Sequence, residues 1–260
     1  MAFETILTAQ DGASCIITLN RPERRNAFSV KMMEEVEAAC RKAEVDAAVR
    51  AVIITGGTQF FSAGADLNEA MAIKSTRDGV TYMKNWERLN DTVERLEKPV
   101  LAAVEGFCMT GGWEFVMACD ICVASETATF ALTSARIGTV PGAGGTQRLP
   151  RQVGVNRALE ILFAAEPISA REAHRIGAVN RLTPPGDALA EAKAMVRIYE
   201  QRAPLSLAYA KRAVRAGIQM DQASAIEFER FLVTAVYGTA DKNEGIGAFL
   251  EKREAKFQGR

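Results

Sequence analysis

The sequence predicts an α/β fold followed by an all-helical region, and two observations carry this prediction. Short apolar runs bounded by glycine or proline, such as Ala51–Thr55 and Val100–Val104, are typical of buried strands and recur between helical patterns. Beyond the break at 184–186, Pro-Pro-Gly, every segment has helical spacing. We therefore expect a core over residues 1–185 that holds the active site, and a helical oligomerisation region over residues 186–260.

The individual elements follow in chain order. Loose alternation on either side of Asp11-Gly12 predicts a β-hairpin, and Ser29 is placed as the N-cap of a helix that ends near residue 44. The polar segment 68–80 lacks a firm pattern and is predicted to form a mobile lid before a helix over 79–96. The remaining expected elements are strands at 121–124 and 179–182 and helices at 156–165, 169–177, 187–202, 204–217, 221–237 and 240–250.

Composition limits the class of protein. Lysine plus arginine and aspartate plus glutamate both number 32 among 260 residues, so bulk attraction to nucleic acid or membrane is not expected. No apolar run approaches about 18 residues, and the first residues lack the basic and apolar parts of a signal peptide. The odd number of cysteines, five, favours free thiols in a reducing compartment, and we expect a cytoplasmic protein.

His174 is the only histidine, which excludes most sites that depend on histidine side chains. A histidine-rich metal site is impossible, and a Ser-His or Cys-His nucleophile would need His174 itself, which lies in a charged segment with the pattern of a surface helix. We expect no metal site. The spacing Cys119-x-x-Cys122 runs into a strand rather than opening a helix, so a redox role is disfavoured.

One glycine turn has the composition of a catalytic site. Gly111 and Gly112 follow the apolar run 100–104 and precede a short apolar run that contains Glu114. A glycine pair before a helix permits close approach of a ligand to the backbone and leaves N–H groups free. Such N–H groups suit an oxygen that is gaining negative charge, so Glu114 beside them predicts proton chemistry next to a carbonyl.

These motifs resemble the enoyl-CoA hydratase/isomerase (crotonase) family along nearly the whole chain. Six blocks occur in the family's order and spacing, which is far more specific than one glycine turn. They are Ile17-Thr18-Leu19-Asn20-Arg21-Pro22 with Asn26-Ala27-Phe28, Phe61-Ser62-Ala63-Gly64-Ala65-Asp66-Leu67, Lys98-Pro99-Val100 through Gly106, Gly111-Gly112-Trp113-Glu114, the glycine loop 138–149 and the terminal Ala248-Phe249-Leu250-Glu251-Lys252-Arg253.

The resemblance implies a crotonase-like spiral of repeated ββα units with a helical region that drives trimers or hexamers. It implies an acyl-CoA substrate of the kind used in fatty acid metabolism, with coenzyme A as part of the substrate and no separate cofactor. The backbone N–H groups of Ala65 and Gly111 would form an oxyanion hole. The residues implied to contact coenzyme A are Arg24, Arg25, Ala63, Asp66, Leu67, Lys252 and Lys256, the two lysines from a neighbouring subunit. Asp66 also suits a turn or a helix cap.

The sequence departs from the family at one position. The family's hydratases use two glutamates; the first corresponds to Glu114, but Ser134 stands where the second is expected, and no acid occurs in 127–150. A serine hydroxyl is a poor proton donor or acceptor without an adjacent base. Glu114 could therefore act alone on a water held by the Gly142 N–H and the Ser134 hydroxyl, as an enoyl-CoA hydratase-like lyase.

Several alternatives stay open from the sequence. Glu114 could be the single base of a double-bond isomerase, or the oxyanion hole could serve decarboxylation or hydrolysis of a CoA ester. A non-catalytic acyl-CoA-binding homologue is also compatible, although it would not need a carboxylate in the glycine turn. A serine peptidase on a related spiral would require His174 to approach a serine.

Overall fold

The computed structural model describes residues 3–260, and its largest element is a six-stranded sheet. The strands are β1 (Ile6–Asp11), β2 (Ser14–Leu19), β3 (Ala51–Thr55), β4 (Val100–Val104), β6 (Ile121–Ser125) and β9 (Arg181–Thr183), in that spatial order. β1 and β2 form the expected antiparallel hairpin, and the other neighbours are parallel. Parallel strands are covered on both faces, which is why β3 and β4 read as continuous apolar runs.

A second sheet of three short strands gives the chain its repeating unit. It contains β5 (Phe107–Met109), β7 (Thr129–Ala131) and β8 (Ile168–Ser169). β4, β5 and the helix α4 (Gly111–Val116) form one ββα unit, and β6 and β7 lead into the next. Ser62, which follows β3, makes a parallel bridge to Cys108 of β5, so a third unit has the same arrangement. The predicted repetition of ββα units is confirmed.

Helices cover the large sheet on the side of the candidate site. α1 (Val30–Val45) begins at Ser29, whose side chain accepts a hydrogen bond from the Met32 N–H, as expected of its N-cap. α3 (Thr76–Arg95) packs beside α1. The segment 68–80 is largely helical, because side-chain caps at Asp66 and Ser75 start α2 (Leu67–Ala72) and α3 within it; that it forms a mobile lid stays a prediction.

Beyond residue 185 the chain is helical, as predicted. The helices there are α8 (Ala188–Glu200), α9 (Pro204–Gly217), α10 (Gln222–Tyr237) and α11 (Ala240–Glu251), and the helices between β7 and β9 are α5 (Gly145–Val153), α6 (Val155–Ala164) and α7 (Ala170–Arg175). Apolar residues of α8, among them Ala192 and Val196, pack against Ile53, Leu101 and Val123 of the sheet. The first helix after residue 185 therefore belongs to the same packed core as the strands.

The last helices carry apolar side chains that the chain itself does not cover. Phe231 on α10 is 70% exposed, and Phe249 and Leu250 on α11 are 83% and 74% exposed. Apolar surface of this kind is usually buried in an assembly, so the expected trimer or hexamer stays a prediction with a physical basis. Over residues 3–260, no helix combines the length and the apolar character needed to cross a bilayer.

Candidate active site

Two tight turns bring the N–H groups of Ala65 and Gly111 into one place. Gly64 has φ +103, and a Cβ there would lie 3.4 Å from the N atom of Gly111. A Cβ on Gly111 would lie 3.3 Å from the N atom of Ala65, so both turns depend on the missing side chains. Within residues 3–260 no group accepts a hydrogen bond from either N–H. The two donors are therefore close together and available to a ligand oxygen.

Glu114 lies one turn into α4 and is 2% exposed. Its Oε1 atom accepts hydrogen bonds of 2.8 Å from the N–H groups of both Ala143 and Gly145 in the glycine loop. Burial raises the pKa of Glu114 above its ordinary value, while these two N–H groups and the charge of Arg148 act in the opposite direction. Oε2 accepts no hydrogen bond from the described residues, which leaves one carboxylate oxygen for proton transfer.

The glycine loop that bonds to Glu114 is in turn fixed by hydrogen bonds from Asn90 and Arg148. The carbonyl oxygen of Ala143 accepts hydrogen bonds from Asn90 Nδ2 at 2.8 Å and from Arg148 Nη1 at 2.9 Å. Arg148 also makes a two-point ion pair with Glu94 of α3. Gly142 is exposed, and its N–H has no acceptor among the described residues; its predicted role in holding a water stays a prediction.

Ser134 lies beside the turn that carries Gly111. The β5–β7 ladder pairs Met109 with Ala131, and the hydroxyl groups of Thr110 and Thr133 are 2.8 Å apart just beyond it. Ser134 follows Thr133 and is 2% exposed. Its hydroxyl makes no hydrogen bond to another described residue.

The acids of the segment 66–80 are engaged in contacts of their own. Asp66 accepts from the Asn68 N–H and pairs with Arg21, and Glu69 accepts from the Val30 N–H. Asp78 is bonded to Ser75 at the start of α3. Each of these carboxylates thus stabilises a turn or a helix terminus.

The residues predicted to contact coenzyme A fall into two groups. The Arg25 carbonyl accepts a hydrogen bond of 2.9 Å from the Ala63 N–H. This bond joins the loop 20–26, which we call the arginine loop, to the turn before Ala65. Arg24, Arg25 and Leu67 are exposed. The carboxylate of Asp66 pairs with Arg21 and accepts the Asn68 N–H, so Asp66 is a helix cap, the alternative role that the sequence also suggested. Lys252 and Lys256 are exposed near the C-terminus, and no hydrogen bond in residues 3–260 joins them to the arginine loop.

Sequence reasoning missed the wall of the site that α3 provides. The ring of Trp86 lies so close to Gly111 that a Cβ there would be 2.8 Å from Cη2, and Met83 Cε lies 2.9 Å from the corresponding point on Gly142. Burial raises the pKa of the Tyr82 hydroxyl, which lies one helical turn before Trp86 and has no hydrogen-bond partner in the described chain. The spacing Tyr82, Trp86, Asn90 could have predicted one inward helix face. A cavity of about 670 Å³ separates this helix from the glycine loop.

His174 is exposed on α7, and its Nδ1 lies 2.9 Å from the carbonyl oxygen of Val179. No serine hydroxyl in the described chain is bonded to it. The peptidase alternative therefore has no support in the arrangement of the site.

Comparisons with known proteins agree with the geometry. A family model described as enoyl-CoA hydratase/isomerase matches residues 10–260. A probable enoyl-CoA hydratase of Rhizobium meliloti is 37% identical, with 100% of each chain covered, and a short-chain-enoyl-CoA hydratase of Clostridium acetobutylicum is 37% identical over 98% of this chain and 97% of that one. The crystal structure of an enoyl-CoA hydratase from Bacillus anthracis superposes with a TM-score of 0.94 at 34% identity, covering 99% of this chain and 100% of that chain.

Proposed function

The chain belongs to the enoyl-CoA hydratase/isomerase family and has the crotonase fold, and from that premise we propose that it adds water to the double bond of an enoyl-CoA with Glu114 as its only catalytic carboxylate. One observation carries the proposal. A buried carboxylate with one unoccupied oxygen, Oε2, lies on the helix whose first N–H, that of Gly111, is paired in space with the N–H of Ala65.

The proposed reaction starts with the thioester oxygen accepting hydrogen bonds from Ala65 and Gly111. Oε2 of Glu114 takes a proton from a water as the water oxygen bonds to the β-carbon, and the π electrons move onto the thioester as an enolate. The protonated Glu114 then returns a proton to the α-carbon. One oxyanion donor is worth about 3–4 kcal/mol, so two account for several powers of ten in rate.

Ser134 and Gly142 are assigned to the water in this proposal. The Ser134 hydroxyl and the Gly142 N–H both lack a partner among the described residues, so each has a hydrogen bond to offer. A hydroxyl without an adjacent base does not transfer the proton itself. Both proton steps therefore fall to Glu114. The reaction then needs only one water and one carboxylate, because the proton that Glu114 takes from the water is the one it gives to the α-carbon.

The substrate is proposed to bind as a coenzyme A thioester without a separate cofactor. Arg24, Arg25, Ala63 and Leu67 are the proposed contacts of the coenzyme A moiety, because they surround the turn that carries the Ala65 N–H and are linked through the Ala63–Arg25 hydrogen bond. Asp66 supports the loop that carries Arg24 and Arg25 through its ion pair with Arg21. Lys252 and Lys256 would reach the phosphates of a neighbouring subunit's ligand in a trimer or hexamer, in a cytoplasmic setting.

Hydration is tested with crotonyl-CoA, whose conjugated double bond absorbs in the ultraviolet. We expect the absorbance to fall with the wild-type enzyme and to stay constant with Glu114→Gln. Equal rates for the two proteins would refute the role of Glu114. Unchanged absorbance with both, together with tight binding of the thioester, would indicate the non-catalytic homologue.

Double-bond isomerisation is the second candidate, and the presence of a single carboxylate favours it. Moving a double bond requires one base to remove a proton and return it elsewhere, so the missing second acid is no obstacle. A β,γ-unsaturated thioester such as but-3-enoyl-CoA gains conjugation, and hence absorbance, when it is isomerised. A gain with that substrate and no loss with crotonyl-CoA would select the isomerase.

A further inference from the structure

Thr110, the residue directly before Gly111, has a backbone conformation that non-glycine residues rarely adopt. Its φ is 43° and its ψ is −111°. Other residues with positive φ, namely Arg25 and Ala165, have ψ of 40° and 25° and lie in the ordinary left-handed helical region. The conformation of Thr110 lies outside that region and is unfavourable for a β-branched side chain. Such a conformation persists only where the surroundings hold it.

Besides its carbonyl, which accepts the Glu114 N–H at 2.8 Å, Thr110 makes three hydrogen bonds to the neighbouring strand and the residues after it. The Thr110 N–H donates to the Ala131 carbonyl at 2.6 Å. The Thr110 hydroxyl lies 2.8 Å from that of Thr133 and accepts from the Thr133 N–H at 3.1 Å. We call these two residues the threonine pair. One partner precedes Gly111 and the other precedes Ser134, so the pair joins the oxyanion turn to the water-holding segment.

The ψ angle of Thr110 sets the direction of the Gly111 N–H, because it turns the peptide plane between the two residues. Relaxation from −111° to the ordinary helical value near −42° would rotate that plane by about 70°. A rotation of that size takes a well-aligned hydrogen bond to angles near or below about 120°, where the interaction weakens steeply.

We propose that the threonine pair is a positioning device for the oxyanion hole: Thr110, fixed by Thr133, aims the Gly111 N–H at the thioester oxygen. This rests on the proposed function only in assuming that the ligand is an acyl-CoA thioester. The Thr110 side chain takes no part in proton transfer. Its hydroxyl acts through the backbone of Gly111, and its strained conformation is the one that the oxyanion turn requires.

Four variants separate positioning from packing. Thr110→Val keeps the β-branched shape but loses the hydroxyl, Thr110→Ser keeps the hydroxyl, and Thr110→Gly makes the positive φ free of strain. Thr133→Val removes only the partner hydroxyl. If Thr110 positions the N–H, activity falls in the order wild type, Ser and Gly, then Val. If Thr110 only fills space, Val is the best variant and Gly the worst.

The readout is the red shift of the absorbance of bound hexadienoyl-CoA, a linear conjugated thioester, which reports polarisation of its carbonyl. The measurement is made in a Glu114→Gln background so that the probe is not consumed. We expect Thr110→Val to lose most of the shift with probe affinity changed less than about threefold. Thr110→Gly and Thr110→Ser should keep most of it, and Thr133→Val should show a smaller loss.

In the catalytically intact background, Thr110→Val should lower kcat for crotonyl-CoA by about 10- to 100-fold, less than complete loss of a donor, with little change in KM. Thr127→Val is the matched control, because it removes a comparable hydroxyl pair, 2.9 Å to Ser125, in a turn without site residues. An unshifted spectrum with the Glu114→Gln parent, or a full shift when Thr110→Val is added to it, overturns the proposal. A parent that shifts the probe, together with a wild type that does not hydrate crotonyl-CoA, overturns only the proposed hydration.

Discussion

Replacing Glu114 by glutamine should separate the chemistry of this carboxylate from its structural contacts. Oε1 accepts the two loop N–H groups, of Ala143 and Gly145, and the amide oxygen of glutamine can accept both. The amide nitrogen would then take the place of Oε2, where it can neither remove nor return a proton. General acid–base catalysis is typically worth about 10²- to 10⁴-fold, and Glu114 is assigned both proton steps. We expect kcat for crotonyl-CoA to fall by at least about 10³-fold.

The same change should not destabilise the protein at neutral pH. Burial raises the pKa of Glu114, so the folded state holds its proton to higher pH than the unfolded chain does. The folded protein therefore loses stability as pH rises from the ordinary glutamate pKa through the raised one. Glutamine has no such loss. We expect the melting temperature of Glu114→Gln to equal or exceed that of the wild type near pH 7, and the difference to shrink as the pH falls toward 4.

Glu35→Gln is the matched control, because Glu35 is also buried and its carboxylate accepts the N–H groups of Glu4 and Thr5. Burial opposes its ionisation, but these hydrogen bonds and Lys31 lower the pKa of Glu35 overall. Its charge therefore stabilises the fold above the ordinary glutamate pKa, and this stabilisation is lost as pH falls. Glu35→Gln should melt lower at pH 7 and remain active. A Glu114→Gln protein with more than a tenth of wild-type activity would refute the assignment of both proton steps.

Three further outcomes are expected. Ser134→Ala should cost about tenfold in kcat, since it removes one neutral hydrogen bond to water, whereas Ser134→Glu should raise hydration of crotonyl-CoA; a fast wild type that Ser134→Glu does not improve would mean that another acid is used. The rate should decline at acid pH as Glu114, whose pKa is raised by burial, becomes protonated. Arg148→Met should move that decline to higher pH, because the Arg148 charge lowers the pKa of Glu114. A pH–rate profile of both proteins tests this. Phe249→Glu should dissociate the predicted trimer or hexamer in sedimentation without unfolding the subunit, since its side chain is 83% exposed; a wild type that sediments as a monomer would contradict the assembly.

The order of strands and helices could be predicted from the sequence because the signals for each element lie within the element or at its ends. The apolar runs of β3 and β4 are bounded by glycine and proline, and Ser29 marks the start of α1. The segment 68–80 shows no firm pattern because α2 and the first turn of α3 have no buried residue there and begin at the caps Asp66 and Ser75.

The sequence by itself determined the family, and it predicted the oxyanion turns, the catalytic role of Glu114 and the position of Ser134, because each lies in a short motif with fixed spacing. Only the tertiary structure brought Ala65 beside Gly111, closed the glycine loop onto Glu114 and placed Trp86 against the turn. It alone revealed the strain at Thr110 and the contact with Thr133 that holds it. These contacts join residues about 20 to 50 positions apart, and such distances are fixed by how the ββα units stack, which no local pattern encodes.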